Sequence, residues 1–416
     1  MRVLVIFGFM ALLLVPALWA ERTCSQPDLQ LAAQHAKAVQ AELLAYKLQG
    51  EMDESVPATL QAQISAFKES LAALADAALK CAPDDANPKL IESMLAKLLN
   101  ANKPVVNEVY DPKKPPQLDH IYGDGITVKV TASAKLPSLF LVEFGFDIAC
   151  GNDSMLLAYE RGNDHWQQAL RWQSGNYEDV SGAFGDFFQY QILQPSDSTS
   201  WLLAVAHGRP WCTSRWSGFH LDVVQPSARS TPQQTIFDLS ADYVRFEIDP
   251  TMKLTPGGFQ LRMEAGSLDI TFMTRPVIYR YRVSGKQFTR IQPIANNGRD
   301  FVDEWLQSPW TDAQRWTAPE GLPTLEPVYK KIAALRDPKA KEWPSFTYGP
   351  VRSCTDSPSH FQVELDEGWW VEQQKDWRPD KPTFFHIQEG ENSFTILSAS
   401  DKPDPRCTGH DIMPKH

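Results

Sequence analysis

Tyr279-Arg280-Tyr281-Arg282-Val283-Ser284-Gly285-Lys286-Gln287-Phe288-Thr289-Arg290-Ile291 is the stretch on which the fold turns. Tyr279, Tyr281 and Val283 alternate with Arg280 and Arg282, the period of two that turns one strand face to a core and the other to water. Ser284-Gly285-Lys286 makes a polar tip and the chain then runs back, so the segment reads as a β-hairpin. Outward from it, short runs rich in β-branched and aromatic residues recur between Gly, Pro, Ser and Asp. They fall into three units of four strands: 126–133, 139–148, 155–161 and 165–173; 187–194, 201–207, 218–224 and 234–239; 243–248, 258–265, 277–283 and 287–294. A repeat of about 45 to 50 residues with four strands predicts a propeller-like region. Three units fall short of a closed propeller and no blade motif accompanies them, so an antiparallel sandwich or barrel is the alternative. Either way the runs lie too close together for crossover helices. Almost pure antiparallel β is expected, without long helices and with unit boundaries near Gly185 and Asp242.

The flanks read differently, which makes the chain a multidomain protein, mainly β with α. Residues 27–99 are rich in Ala, Leu, Gln, Glu and Lys, and Leu60, Ile64, Phe67, Leu71, Leu74 and Ala78 recur at helical spacing. With a break at 50–57 this predicts an α-helical hairpin, and two short helices in water need a packing partner. Pro104, Pro112, Pro115 and Pro116 mark an extended linker over 102–118. After the β region, 300–316 and 324–335 regain helical character, with Asp300, Asp303 and Glu304 suiting a helix start. Strands at 346–351, 360–365, 383–388 and 393–398 follow, the last two joined through Glu389-Gly390-Glu391-Asn392. This C-terminal α+β order is loosely similar to the cone-shaped fold of the nuclear transport factor family, without a family motif; the alternative is a fourth β unit. The expected parts are 1–20, 21–101, 102–118, 119–297 and 298–416.

Arg2 followed by the apolar run from Val3 to Val15, Pro16 and small residues up to Ala20 has the layout of a secretory signal. No later run is long enough to span a bilayer. The protein is therefore expected in the periplasm or outside the cell, where its six cysteines would pair. Sequential pairing joins Cys24 with Cys81, Cys150 with Cys212 and Cys354 with Cys407, one bridge per region. Zinc ligation would need two close ligand pairs, and Cys407 with His410 is the sole such spacing. No metal or cofactor is expected.

A net charge of -11 does not supply the basic footprint that binding to a phosphate backbone requires, so nucleic acid is an unfavoured partner. Neither a nucleophile elbow, a zinc-protease helix, a phosphate loop, a dinucleotide fingerprint nor an EF-hand spacing occurs. The stretch richest in binding chemistry runs from His207 to Trp216. Arg209 and Arg215 suit a carboxylate or phosphate, Trp211 and Trp216 suit a sugar or aromatic face, and His207 can exchange a proton. The competing reading has the indoles covering a core edge, the guanidiniums paired locally and His207 ending a strand. Trp369, Trp370 and Trp377 are expected in a loop that packs on itself, and Asp300 and Glu304 are explained by their helix start. The function expected is non-catalytic binding or scaffolding in the periplasm or extracellular space, toward a glycan or an anionic small molecule. The alternative is a hydrolase or lyase acting on a glycan or anionic polymer. The helical pair is a further candidate surface for a protein partner.

Overall fold

The computed structural model describes residues 26–46, 56–82, 86–102, 122–133, 136–148, 151–162, 165–173, 187–195, 200–208, 216–227, 234–244, 250–255, 257–336, 344–371, 376–379 and 381–413. The hairpin at 279–291 is present as β11 (Thr274–Ser284) and β12 (Gln287–Arg290), paired from Tyr281 with Arg290 to Ser284 with Gln287. Gly285 turns the corner at φ 55°, a conformation that disfavours a side chain. The remaining strands follow the expected order. β1 (Thr127–Ala132), β2 (Leu139–Ile148), β3 (Gly151–Arg161) and β4 (Trp166–Gln173) form the first meander. β5 (Phe188–Leu193), β6 (Leu202–Gly208), β7 (Trp216–Gln225) and β8 (Gln234–Val244) form the second.

The third unit corrects one expectation. Tyr243 and Val244 extend β8, and the unit's first strand is β9 (Thr251–Thr255), which pairs with β10 (Gly258–Gly266) around a tight turn at Gly257. A two-residue connection closes at less entropic cost than the longer loop a strand at 243–248 would need. The pair Ala265 and Tyr243 ties β10 to β8 and makes the second and third units one continuous sheet.

Successive units stack because alternate residues of each strand feed different cores. In β2, Phe140, Val142, Phe144 and Phe146 pack with the helices, whereas Leu139 and Leu141 pack with Leu203 and Val205 of β6. The opposite face of β6 presents Leu202, Ala204 and Ala206 to Phe259, Leu261 and Met263 of β10. Strands buried on both faces read as near-continuous apolar runs, as β2 does. The architecture is mainly β and propeller-like, with four antiparallel meanders.

Among the described residues the N-terminal part holds three helices where two were expected: α1 (Gln26–Leu44), α2 (Ala58–Lys80) and α3 (Pro88–Leu99). Asn87 starts α3 by accepting from the Leu90 N–H, and Asn100 ends it at φ 64°. The helices share one core with β1 to β3, including Phe67 edge-on to Phe146 at 5.1 Å. Positions 103–118 of the expected linker and the expected signal segment lie outside the described residues.

Beyond the third unit come α4 (Gly298–Gln307), α5 (Trp310–Ala313) with a following 3-10 turn, and α6 (Leu322–Leu335). They pack on the fourth meander, β13 (Pro344–Cys354), β14 (Ser357–Val371), β16 (Thr383–Gly390) and β17 (Ser393–Ser400). Its up-and-down order matches the other three units. The segment with Trp369 and Trp370 is not a loop: β14 runs on to Val371 and pairs with β15 (Asp376–Pro379), so backbone pairing satisfies this stretch. No helix here is long and apolar enough to cross a membrane, among the described residues. Cys354 and Cys407 are bonded, Cys81 is also in a disulfide, and Cys24, Cys150 and Cys212 lie outside the described residues.

Candidate functional site

The first strands of the first three units border one cleft of about 610 Å³, lined by Lys129 and Thr131 of β1, Phe188 and Tyr190 of β5, and Met252 and Leu254 of β9. Strand alternation makes this possible: Val128 and Val130 turn under the helices, leaving Lys129 and Thr131 on the cleft side. Gln189 and Gln191 hold the far wall. Gln191 Nε2 donates to the Met252 carbonyl at 2.8 Å, and Gln189 Oε1 accepts from the Met252 N–H at 2.7 Å. These amides link β5 to β9, which do not pair directly. Tyr190 Oη donates to Glu143 Oε2 at 2.9 Å, and Lys129 Nζ stands 3.5 Å from the same oxygen. Burial, then the Glu143 charge, pushes the Tyr190 phenol up, so it stays a donor. A smaller cavity of about 300 Å³ adjoins it at Ile192 and Leu254.

On the second unit, the register of β6, β7 and β8 gathers a second group. His207 faces His220, His220 faces Ser240, and Asp222 lies two residues along β7 on the same face as His220. His220 Nε2 is 3.1 Å from Asp222 Oδ1, and its Nδ1 is 2.7 Å from Ser240 Oγ. Asp222 Oδ2 accepts from Trp172 Nε1 of β4 at 3.0 Å and stands 3.7 Å from His207 Nε2. Burial alone would raise the Asp222 carboxyl, but hydrogen bonds from His207, His220 and Trp172 outweigh it and hold the group well below the usual carboxylate range.

Of the residues singled out from the sequence, His207 is the second-last residue of β6, buried, with its Nδ1 3.0 Å from the Gly208 carbonyl and its ring edge-on to Trp172. Trp216 opens β7 and pairs through its backbone with Val244. Arg209, Trp211 and Arg215 lie outside the described residues. His207 does not line the cleft, among the described residues. Ser240, Asp222 and the cleft itself escaped the sequence reading. The available signal was His220-Leu221-Asp222, two titratable groups spaced to share one strand face.

A third polar cluster joins the third unit to α4. Arg275 Nε reaches Asp303 at 2.8 Å, and its other arm reaches Glu304 at 2.6 Å; Arg290 meets Glu304 from the opposite side at 2.5 Å. All four are buried, which makes this a structural junction. Among the described residues, the close group of metal-ligand types is Cys354, His386 and Cys407, and its two sulfurs are bonded to each other.

No family model matches the chain, and no curated protein matches it. Among solved structures it is similar to the GH93 alpha-L-arabinofuranosidase of Fusarium graminearum in complex with arabinobiose, with a TM-score of 0.25 and 7% identity over 65% of this chain and 66% of that one. Another structure of an alpha-L-arabinofuranosidase from Fusarium graminearum, in complex with an iminosugar inhibitor, is matched with a TM-score of 0.26 and 6% identity over the same shares. The chain thus spans just under two thirds of the structures it resembles.

Proposed function

We propose that the protein is an extracytoplasmic binding module whose cleft takes a neutral glycan. The observation that carries this reading is the pairing of two aromatic rings, Phe188 and Tyr190, with a wall on which the cation of Lys129 is offset by a carboxylate. Lys129 sits against Glu143 at 3.5 Å, so the cleft offers an anion little net attraction. Aromatic faces take the C–H faces of a sugar ring, and Thr131, Ser133 and the amide side chains supply a polar rim. The anionic-ligand expectation rested on Arg209 and Arg215, outside the described residues.

The test is calorimetric titration of the disulfide-intact protein with a panel of neutral oligosaccharides. Binding that weakens about 30-fold in Tyr190→Ala, the loss of about 2 kcal/mol typical of a buried aromatic anchor, supports the reading. No neutral saccharide bound, or binding indifferent to both Phe188→Ala and Tyr190→Ala, would sink it. Hydrolysis of the same ligand is a second reading, favoured by Glu143, a carboxylate that accepts from the hydroxyl of the cleft residue Tyr190. Saccharide consumed in the assay, with consumption lost in Glu143→Gln, would establish it.

A further inference from the structure

We infer that Ser240 is an activated nucleophile, arranged with His220 and Asp222 to accept an acyl group from an uncharged carboxylic ester. This goes beyond the glycan reading and does not depend on it. The argument begins at Asp222. Its carboxylate is ionised and fixed by the Trp172 indole at 3.0 Å, so it can only accept hydrogen bonds. The ring nitrogen facing it, His220 Nε2 at 3.1 Å, therefore carries the proton. That leaves Nδ1 as a lone pair, 2.7 Å from Ser240 Oγ. The tautomer is thus set by the carboxylate and the base points at the hydroxyl, the logic of a serine, histidine and aspartate triad with the two ring nitrogens exchanged.

Three further observations suit the assignment. Ser240 is exposed and His220 partly so, which gives an ester access to the hydroxyl. The order of the three groups is built into paired strands, since β7 and β8 place His220 opposite Ser240, and rigid strands hold a constellation better than loops do. Asp238 lies opposite Asp222 and is exposed, so with the net charge of -11 the local field repels anionic esters and favours uncharged ones.

The chemistry balances within these groups and water. Ser240 Oγ attacks the ester carbonyl carbon as its proton passes to His220 Nδ1, and Asp222 stabilises the imidazolium through Nε2–H. The tetrahedral adduct expels the alkoxide, which takes the proton from Nδ1 and leaves as an alcohol. Water then gives a proton to Nδ1 while attacking the acyl-serine carbonyl. The carboxylic acid departs as Ser240 regains its hydrogen. Asp222 and Trp172 are positioning residues, because they act through His220.

The test is labelling of the full-length, disulfide-intact protein with an uncharged alkyl fluorophosphonate, followed by peptide mapping. The expected result is one adduct, on Ser240, formed at least 100-fold faster in the native protein than on the same serine in guanidinium. It should disappear in Ser240→Ala and slow at least tenfold in His220→Gln. An adduct only on other serines, no adduct, or a Ser240 adduct formed equally fast in the denatured chain would overturn the assignment. If His220→Gln fails to fold, the native-to-denatured comparison still decides, as it needs no variant.

Discussion

Lys68 Nζ of α2 lies 2.7 Å from Asp153 Oδ2 of β3, and neither side chain is more than 3% exposed. This pair pins the helical layer to the first meander at the centre of their shared core, with Tyr159 Oη donating to Asp76 Oδ1 at 2.7 Å in the same interface. Burial is the largest influence on the Lys68 amine and lowers it, only partly offset by Asp153.

Removing one member should therefore cost more than removing both. Lys68→Met or Asp153→Leu alone is expected to destabilise by about 3 to 5 kcal/mol, because a charge is left buried without its partner. The double variant should return to within about 1 kcal/mol of the parent. Urea unfolding followed by circular dichroism checks this; losses that simply add would show that the pair is not coupled.

Asp300, one helical turn from Glu304, carries the opposite pH dependence. Burial pushes its carboxyl up to about 6, against the pull of Arg275, Arg299 and the Asn297 hydrogen bond. A raised carboxyl contributes stability that is fully present below its unfolded value and is lost as pH rises through about 6. Asp300→Asn keeps an oxygen acceptor for the Asn297 amide and removes the charge. It should be more stable than the parent by up to about 3 kcal/mol at pH 8, with the difference vanishing near pH 4. Urea midpoints measured across that range decide it.

Glu304 is the reverse case. Burial would raise it, but Arg290 and Arg275 hold it down at about 2. Its contribution is present above the ordinary glutamate range and is lost as pH falls through about 2. Glu304→Gln leaves Arg290 without its carboxylate and should cost about 3 to 5 kcal/mol at pH 7. The gap from the parent should narrow on acidification, measurable as converging thermal midpoints.

Cys354 and Cys407 close a loop across a sequence separation of 53. Replacing both with Ala should lower stability by about 4 kcal/mol if chain entropy dominates. Circular dichroism of the double variant should still show the strand spectrum, because the core of the fourth meander includes neither cysteine. Loss of that spectrum at room temperature would show that the bridge is needed for folding.

The opening hairpin shows why so much of the fold was legible. Alternation at Tyr279, Tyr281 and Val283 and a glycine at the tip are local signals, each acting over a few residues, and nearly every strand of the first three units carried them. The same signals misplaced β9, where Tyr243 and Val244 looked the better strand residues although they continue β8. They also passed over α3, whose start is marked by Asn87 and Pro88.

What the sequence determined alone was therefore the kind of most local elements, an even set of cysteines able to pair, and an acidic balance of charge. Tertiary structure decided what meets what. His220 and Ser240 are twenty positions apart and touch because β7 and β8 pair in one register; a one-residue slip would turn one of them to the other face. Trp172 reaches Asp222 from another meander, and the cleft exists because β1, β5 and β9 converge. Propensity and turn chemistry are properties of neighbours along the chain, whereas register and stacking are set by the summed burial of segments far apart in it.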